Sequence, residues 1–273
     1  MSQIDLEISN ILSSNGICTK IFNISPISGG CVSSAFKFST DNGDFFVKTS
    51  KTQNSKMMFE GEAESLRAIV AAVPGFTSQP LYVGSLLSGG AFLVTTFFRL
   101  STSHAKNVQI LLGQKLSTLH MTESPNGLFG FPVVTMCGTT EQDNTWEKDW
   151  ETFYKKRRLS PIINKCLQNN PWDTELRKLG DIVIDKVVHH LLKDVEVKPV
   201  LIHGDLWSGN WGINSVTNEP VIFDPASFYG HNEMELSIMT MFGSPSRDFF
   251  NEYHTHHPRQ EPAFKQRQDN DSS

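Results

Sequence analysis

Leu201-Ile202-His203-Gly204-Asp205-Leu206-Trp207-Ser208-Gly209-Asn210, followed by Val221-Ile222-Phe223-Asp224, is the stretch on which the fold turns. Each segment is an apolar strand that ends on a polar group, and Trp211-Gly212-Ile213 makes a further short strand between them. Strand ends project side chains from a rigid platform into a cleft, and phosphoryl transfer to an alcohol asks for that placement. One carboxylate must orient the acceptor hydroxyl and take its proton; Asp205 fits. A second carboxylate and a neutral oxygen ligand must hold Mg²⁺ on the phosphates of ATP, and Asp224 and Asn210 fit. Five specified residues at typical usage match by chance on the order of 3 in 10⁷ per register. His203, grouped with the substrate-side residues of this turn, reads better as a loop-fixing hydrogen-bond partner than as a general base.

Upstream, the pattern is that of a small antiparallel sheet. Lys20–Ile27 leads into Ser28-Gly29-Gly30, Ala35–Phe38 follows, and Asp41-Asn42-Gly43-Asp44 is a turn before the apolar strand Phe45-Phe46-Val47-Lys48. Residues 55–72 read as a helix: at ~100° per residue, Phe59, Ala63, Leu66, Ile69 and Val70 share one face. Glu62 falls at the edge of that stripe, where a carboxylate needs a partner. Lys48 is the candidate. Leu81–Leu86 and Ala91–Phe98 form a hairpin, giving about five strands with one helix inserted. From Asn107 onward the pattern is helical, with Leu112, Leu116 and Leu119 on one face and a second helix over about Thr174–Lys193. The fold class is therefore α+β in two lobes: 1–100 a five-stranded antiparallel lobe with one helix, 101–264 a larger, mainly helical lobe. Residues 265–273 are polar and read as a disordered tail.

The bulk numbers narrow the setting. The chain has 273 residues, enough for one large domain or two small lobes. Lys+Arg 24 against Asp+Glu 29 gives a net charge of −5 with no basic block, so there is no nucleic-acid footprint. The N-terminus lacks the basic and apolar regions of a signal peptide. Gly75–Phe98 carries no charge, yet Pro80, Gly84, Gly89 and Gly90 break it, so it is no membrane span. Cys18, Cys31, Cys137 and Cys166 form no CxxC and no zinc spacing, which points to a reducing, cytoplasmic setting.

His203-Gly-Asp-Leu-Trp-Ser-Gly-Asn210, with Phe223-Asp-Pro-Ala-Ser-Phe-Tyr-Gly-His231, resembles the fructosamine kinase (ketosamine 3-kinase) family. The resemblance covers about residues 5–264 and includes Gly29-Gly30-Cys31-Val32-Ser33, Phe59-Glu-Gly-Glu62, Leu119-His120, Phe129-Gly130-Phe131 and Asp149-Trp150. It implies the protein-kinase-like fold shared with aminoglycoside and choline kinases. It also implies ATP-dependent phosphorylation of the 3-hydroxyl of ketosamines, on glycated proteins or free, to an unstable 3-phosphate that falls away and deglycates the amine. By resemblance Asp205 is the base, Asn210 and Asp224 the metal ligands, Lys48 the lysine on the α- and β-phosphates, and Glu62 its helix partner. The hinge beside adenine is Thr95-Thr96-Phe97, where relatives usually carry an acid at the position of Thr96. Family chains usually continue past the equivalent of Phe264 with further helices; this one stops after a short polar segment.

Around this core stand residues with two readings. Gly29, Gly30 and Ser33 let backbone N–H groups approach phosphates, or simply mark a turn. Cys31 is a small apolar filler, or an exposed thiol whose oxidation blocks ATP or links two chains, so the protein is a monomer or a redox-linked dimer. Trp207, Phe228, Tyr229 and His231 are expected as walls of the sugar-amine pocket, or as packing beneath the loop. Glu235 orients a substrate amine, or starts a helix on which Met234, Ile238 and Met241 are core. Trp146 and Trp150 read as helix packing. Two rival functions stand beside the ketosamine reading: a kinase for another small alcohol, and an inactive regulatory product of the same fold.

Overall fold

A computed structural model gives the architecture and describes residues 2–27, 33–101 and 107–270. The first helix, α1 (Gln3–Ser14), opens on a capping box: Ser2 Oγ accepts the Asp5 N–H, and Asp5 accepts the Ser2 N–H at 2.6 Å. Ile8 and Leu12, four apart, are buried on one face. The strands β1 (Ile21–Ile27), β2 (Ser34–Thr40) and β3 (Gly43–Ser50) follow, then α2 (Ser55–Ala72), then the hairpin β4 (Pro80–Ser85) and β5 (Ala91–Thr96). These five strands form one antiparallel sheet in the order β1-β2-β3-β5-β4. Strand alternation puts Phe38, Phe45, Val47, Phe92 and Val94 on one side of it, where α1 covers them.

The rest of the chain is mainly helical. Strand β6 (Leu100–Ser101) leads to α3 (Val108–Leu119), the small hairpin β7 (Thr135–Cys137) and β8 (Thr140–Gln142), and α4 (Trp150–Tyr154). A π-helical turn over Lys155–Leu159 joins α4 to α5 (Ser160–Asn169). Another, over Val183–Val187, joins α6 (Thr174–Ile182) to α7 (Val188–Leu192), so the single helix expected over Thr174–Lys193 has a widened middle. Then come β9 (Val200–Ile202), β10 (Trp211–Asn214), β11 (Pro220–Ile222), β12 (Phe228–Gly230), α8 (Asn232–Met241), α9 (Arg247–His256) and α10 (Phe264–Asn270). No helix among the described residues is long and apolar enough to cross a membrane.

Helix α2 ties the two parts together. Phe59, Ala63 and Leu66 pack under β5, while Ile69 joins the large core with Leu112, Leu116, Leu119, Ile202, Phe228 and Tyr253. The arrangement is the protein-kinase-like one expected from the motifs. Residues 265–270 depart from the expectation of a disordered tail. Phe264 packs on the core, and the Arg267 guanidinium is buried against Glu233, with Nε 2.6 Å from Oε2. A buried, paired charge holds a segment that composition alone marks as unfolded.

Candidate active site

The turn between β9 and β10 carries Asp205 and Asn210, and Asp224 follows β11. The turn is built from the inside. Gly204 has φ +83°, and a Cβ there would lie 2.3 Å from the Ala226 carbonyl oxygen, so only glycine fits. His203 is fully buried. Its Nδ1 accepts the Asp205 N–H at 3.2 Å, and its Nε2 then donates to the Phe223 carbonyl at 3.0 Å. That neutral tautomer joins the turn to the strand carrying Asp224, and burial lowers the pKa of the ring below the usual histidine range. Glu235 on α8 is buried beneath the turn and accepts the backbone N–H groups of His203 and Gly204. Glu235 does lie in the first turn of α8, but that helix buries Leu236 and Met239 while Met241 is exposed, and the carboxylate itself holds the turn.

Asn210 donates its amide N–H to the Asp205 carbonyl at 2.8 Å and to Asp205 Oδ2 at 3.1 Å, which leaves its own carbonyl oxygen for a cation. Burial pushes the Asp205 carboxyl up to about 6, and the carboxylates of Glu235 and Asp224 add to the shift. Its base strength is thereby raised toward neutrality, as proton abstraction requires. Asp224 sits at φ +60°, a strained conformation for a non-glycine residue, which aims its carboxylate back toward β3. There Lys48 Nζ lies 2.6 Å from Asp224 Oδ1 and 2.7 Å from Glu62 Oε1. Burial works against the Lys48 charge, but the two carboxylates outweigh it and raise its pKa; burial raises Glu62.

Among the described residues, no cluster of three or more His, Cys, Asp or Glu side chains gathers for a metal. The oxygen pair Asp224 and Asn210 nevertheless suits a hard cation that keeps waters and takes substrate phosphates as its other ligands.

The sequence is matched over residues 5–270 by a family model described as "Fructosamine kinase". The chain belongs to the fructosamine kinase family. A relative named protein-ribulosamine 3-kinase, chloroplastic, from Oryza sativa subsp. indica is 39% identical, over 93% of this chain and 72% of that one. The ketosamine-3-kinase of Mus musculus is 35% identical, over 92% of this chain and 86% of its own. The crystal structure of a candidate fructosamine-3-kinase from Haemophilus somnus 129PT superposes with a TM-score of 0.83 at 20% identity, covering 97% of this chain and 86% of that one.

Within this fructosamine kinase chain, several expected site residues sit elsewhere. Phe228 is fully buried between Phe153 and the Arg158 guanidinium, and His231 is buried at the edge of Trp150. Phe228 is core because β12 turns Phe228 and Gly230 inward and only Tyr229 outward, and His231 is buried at the start of α8. With His203 also buried, Trp207 and Tyr229 remain of the expected substrate walls. Trp207 is 36% exposed and meets the Phe242 ring edge-on; Tyr229 stacks on Trp146 at 6.2 Å. At the hinge, Thr95 and Thr96 end β5. The N–H of Thr96 donates to Gln79 and that of Phe97 to Asp44, so a base docking on either would compete with the sheet. Ser33 is half-buried at the bend before β2, whereas Gly29, Gly30 and Cys31 lie outside the described residues.

Sequence reasoning missed the turn-holding role of Glu235, which carries no local signal because it looks like any acid in a first helical turn.

Proposed function

We propose that this chain is an ATP- and Mg²⁺-dependent ketosamine 3-kinase, acting on ribulosamine or fructosamine adducts, free or on protein lysines. The observation that carries the reading is the pairing of Asp205 with Asn210 and of Asp224 with the Lys48–Glu62 pair, the two joined where the Phe223 N–H donates to the Asn210 backbone carbonyl. Membership of a family whose named members are ribulosamine and ketosamine 3-kinases supplies the acceptor. Asp205 accepts the proton of the sugar 3-hydroxyl as that oxygen attacks the γ-phosphorus. Lys48 lies against the α- and β-phosphates, held by Glu62. Asp224 and Asn210 would hold Mg²⁺, which would supply charge neutralisation on the phosphate oxygens. The 3-phosphate then falls away and frees the amine. The described thiols Cys18, Cys137 and Cys166 are unpaired, which supports a cytoplasmic, reducing setting.

ADP release by the purified protein with Mg²⁺–ATP and ribulosyl-lysine, fructosyl-lysine or no acceptor tests the reading. Acceptor-dependent turnover is expected, with kcat lowered on the order of 10²–10⁴-fold in Asp205→Asn. Equal ADP release with and without ketosamine, from a protein that melts cooperatively, would rule the acceptor out.

A further inference from the structure

His120, which ends α3, is buried, and its Nε2 has no hydrogen-bond partner. A polar atom left unpaired in the interior is costly, so its surroundings must account for it. Nε2 faces Glu235 Oε2 at 3.8 Å. Glu235 is equally buried, and among the described residues no Lys or Arg pairs with it.

The other ring nitrogen fixes where the proton sits. Nδ1 lies 2.7 Å from the Tyr253 hydroxyl oxygen, and Asn232 Nδ2 donates to that same oxygen at 2.8 Å. The hydroxyl therefore accepts from Asn232 and has its own proton for Nδ1. His120 is then the neutral tautomer that carries its proton on Nε2. The opposite tautomer would set an Nε2 lone pair against a buried carboxylate. At 3.8 Å the N–H makes no full hydrogen bond, but a dipole aimed at an anion acts more strongly in low-dielectric surroundings than in water.

The contacts close a ring through three helices. Asn232 and Glu235 stand three apart on α8, and so share a face; Tyr253 comes from α9 and His120 from the end of α3. The ring is held from outside as well. The Tyr253 side chain is fully buried and stacks on His257 at 5.1 Å, and His257 Nε2 donates to the Ser117 carbonyl at 2.9 Å. Helices α3 and α9 meet closely at Gly113, where a Cβ would lie 2.8 Å from the Phe249 carbonyl oxygen. Tyr253 and His120 thus have little freedom to part.

We propose that His120, oriented by Tyr253, is a positioning residue for phosphoryl transfer: its Nε2–H faces Glu235 and keeps that carboxylate on the backbone N–H groups of His203 and Gly204, which open the turn that presents Asp205. His120 acts through Glu235 and touches no reacting atom. Displacement of a reacting group by about 1 Å costs on the order of 10²-fold in rate, so a partial loss of this restraint is expected to cost less.

The inference rests on Asp205 being the base of a ketosamine kinase, and its tests separate the two. Steady-state kinetics on His120→Leu are expected to show kcat about tenfold lower with KM for ATP within about twofold. His120→Gln, whose amide N–H replaces the one on Nε2, is expected within about threefold of the parent kcat. Parental kcat in His120→Leu overturns the proposal, as does equal impairment of the Gln and Leu variants, which would make the site one of packing. Two further measurements need no acceptor. Heteronuclear NMR of the imidazole nitrogens in the parent protein is expected to show His120 with its proton on Nε2, and Tyr253→Phe is expected to lose that single tautomer. A proton on Nδ1 in the parent overturns the relay. Amide exchange at Gly204 is expected to run several-fold faster in His120→Leu than in His120→Gln, and equal rates overturn the link to the turn. Absence of ketosamine turnover in the parent protein, by contrast, would sink the functional reading and leave the spectrum and the exchange rates to judge the relay.

Discussion

Lys48 Nζ lies 2.6 Å from Asp224 Oδ1, although 176 positions separate the two residues. The same ammonium lies 2.7 Å from Glu62, so one cation joins β3, α2 and the strand end that carries the expected metal ligand. Lys48 and Glu62 are 9% and 14% exposed at their side chains, so removing one partner strands the other. Lys48→Met is expected to cost about 3 kcal/mol of unfolding free energy, read from the urea midpoint at constant slope. Glu62→Gln in the same chain is expected to restore at least half of that loss. A midpoint unmoved by Lys48→Met would show that the buried pair contributes nothing net.

Glu235 beneath the turn makes a second prediction. Its carboxylate accepts backbone N–H groups that would otherwise be buried without partners. In Glu235→Gln one oxygen becomes a donor facing donors. A loss of about 2 kcal/mol in stability is expected, with kcat down at least tenfold, because the turn that presents Asp205 relaxes. Parental values of both would remove Glu235 from the support of the site.

The end of the chain can be tested locally. Arg267 pairs with Glu233, both nearly buried, and closes α10 onto α8. Arg267→Ala leaves Glu233 buried alone, with an expected cost of about 3 kcal/mol. Amide exchange should then rise first within Phe264–Asn270. Protection there equal to the parent would mean that Phe264 packing alone docks the helix.

Acid should destabilise the fold from just below neutrality. Burial depresses His120, His203 and His231, the first and last to about 3, while an unfolded histidine titrates near 6.5. Between those values the unfolded chain binds protons that the native one refuses. Stability is therefore fully present above about 6.5 and is lost as pH falls. Asp205, raised to about 6, acts with the opposite sign and is half protonated at that value, so the three rings outweigh it most clearly in the window between pH 7 and 6. The melting temperature is expected to drop across it, and by less in His231→Phe. A flat profile in that window would contradict neutral burial of these rings.

Much of the fold was legible because its signals are local. Helix α2 spans Ser55–Ala72 as the periodicity of Phe59, Ala63, Leu66 and Ile69 predicts, since one apolar face is what a helix over a sheet must bury. The turn at Asp41–Asp44 and the strands at Val200 and Pro220 are equally visible, whereas α1 is a second helix where one was expected, its buried Ile8 and Leu12 standing in an otherwise polar run. Asp205, Asn210 and Asp224 could be named because each stands at a strand end within a few residues of a glycine turn or an apolar run.

By itself, then, the sequence supplied the candidates: Asp205 for a base, Asn210 and Asp224 for cation ligands, Lys48 with Glu62 as its partner, and the alternation of strands and helices that presents them. Tertiary structure alone decided which neighbours act on that inventory. Phe228 and His231 left the expected pocket because strand alternation and the helices around α4 enclose them, which residue type does not reveal. Glu235, thirty residues further along the chain on α8, came to hold the turn that presents Asp205. Arg267 gave order to a polar tail by finding one buried carboxylate. Periodicity is written in neighbouring residues, whereas burial and charge pairing depend on contacts that exist only once distant segments have packed.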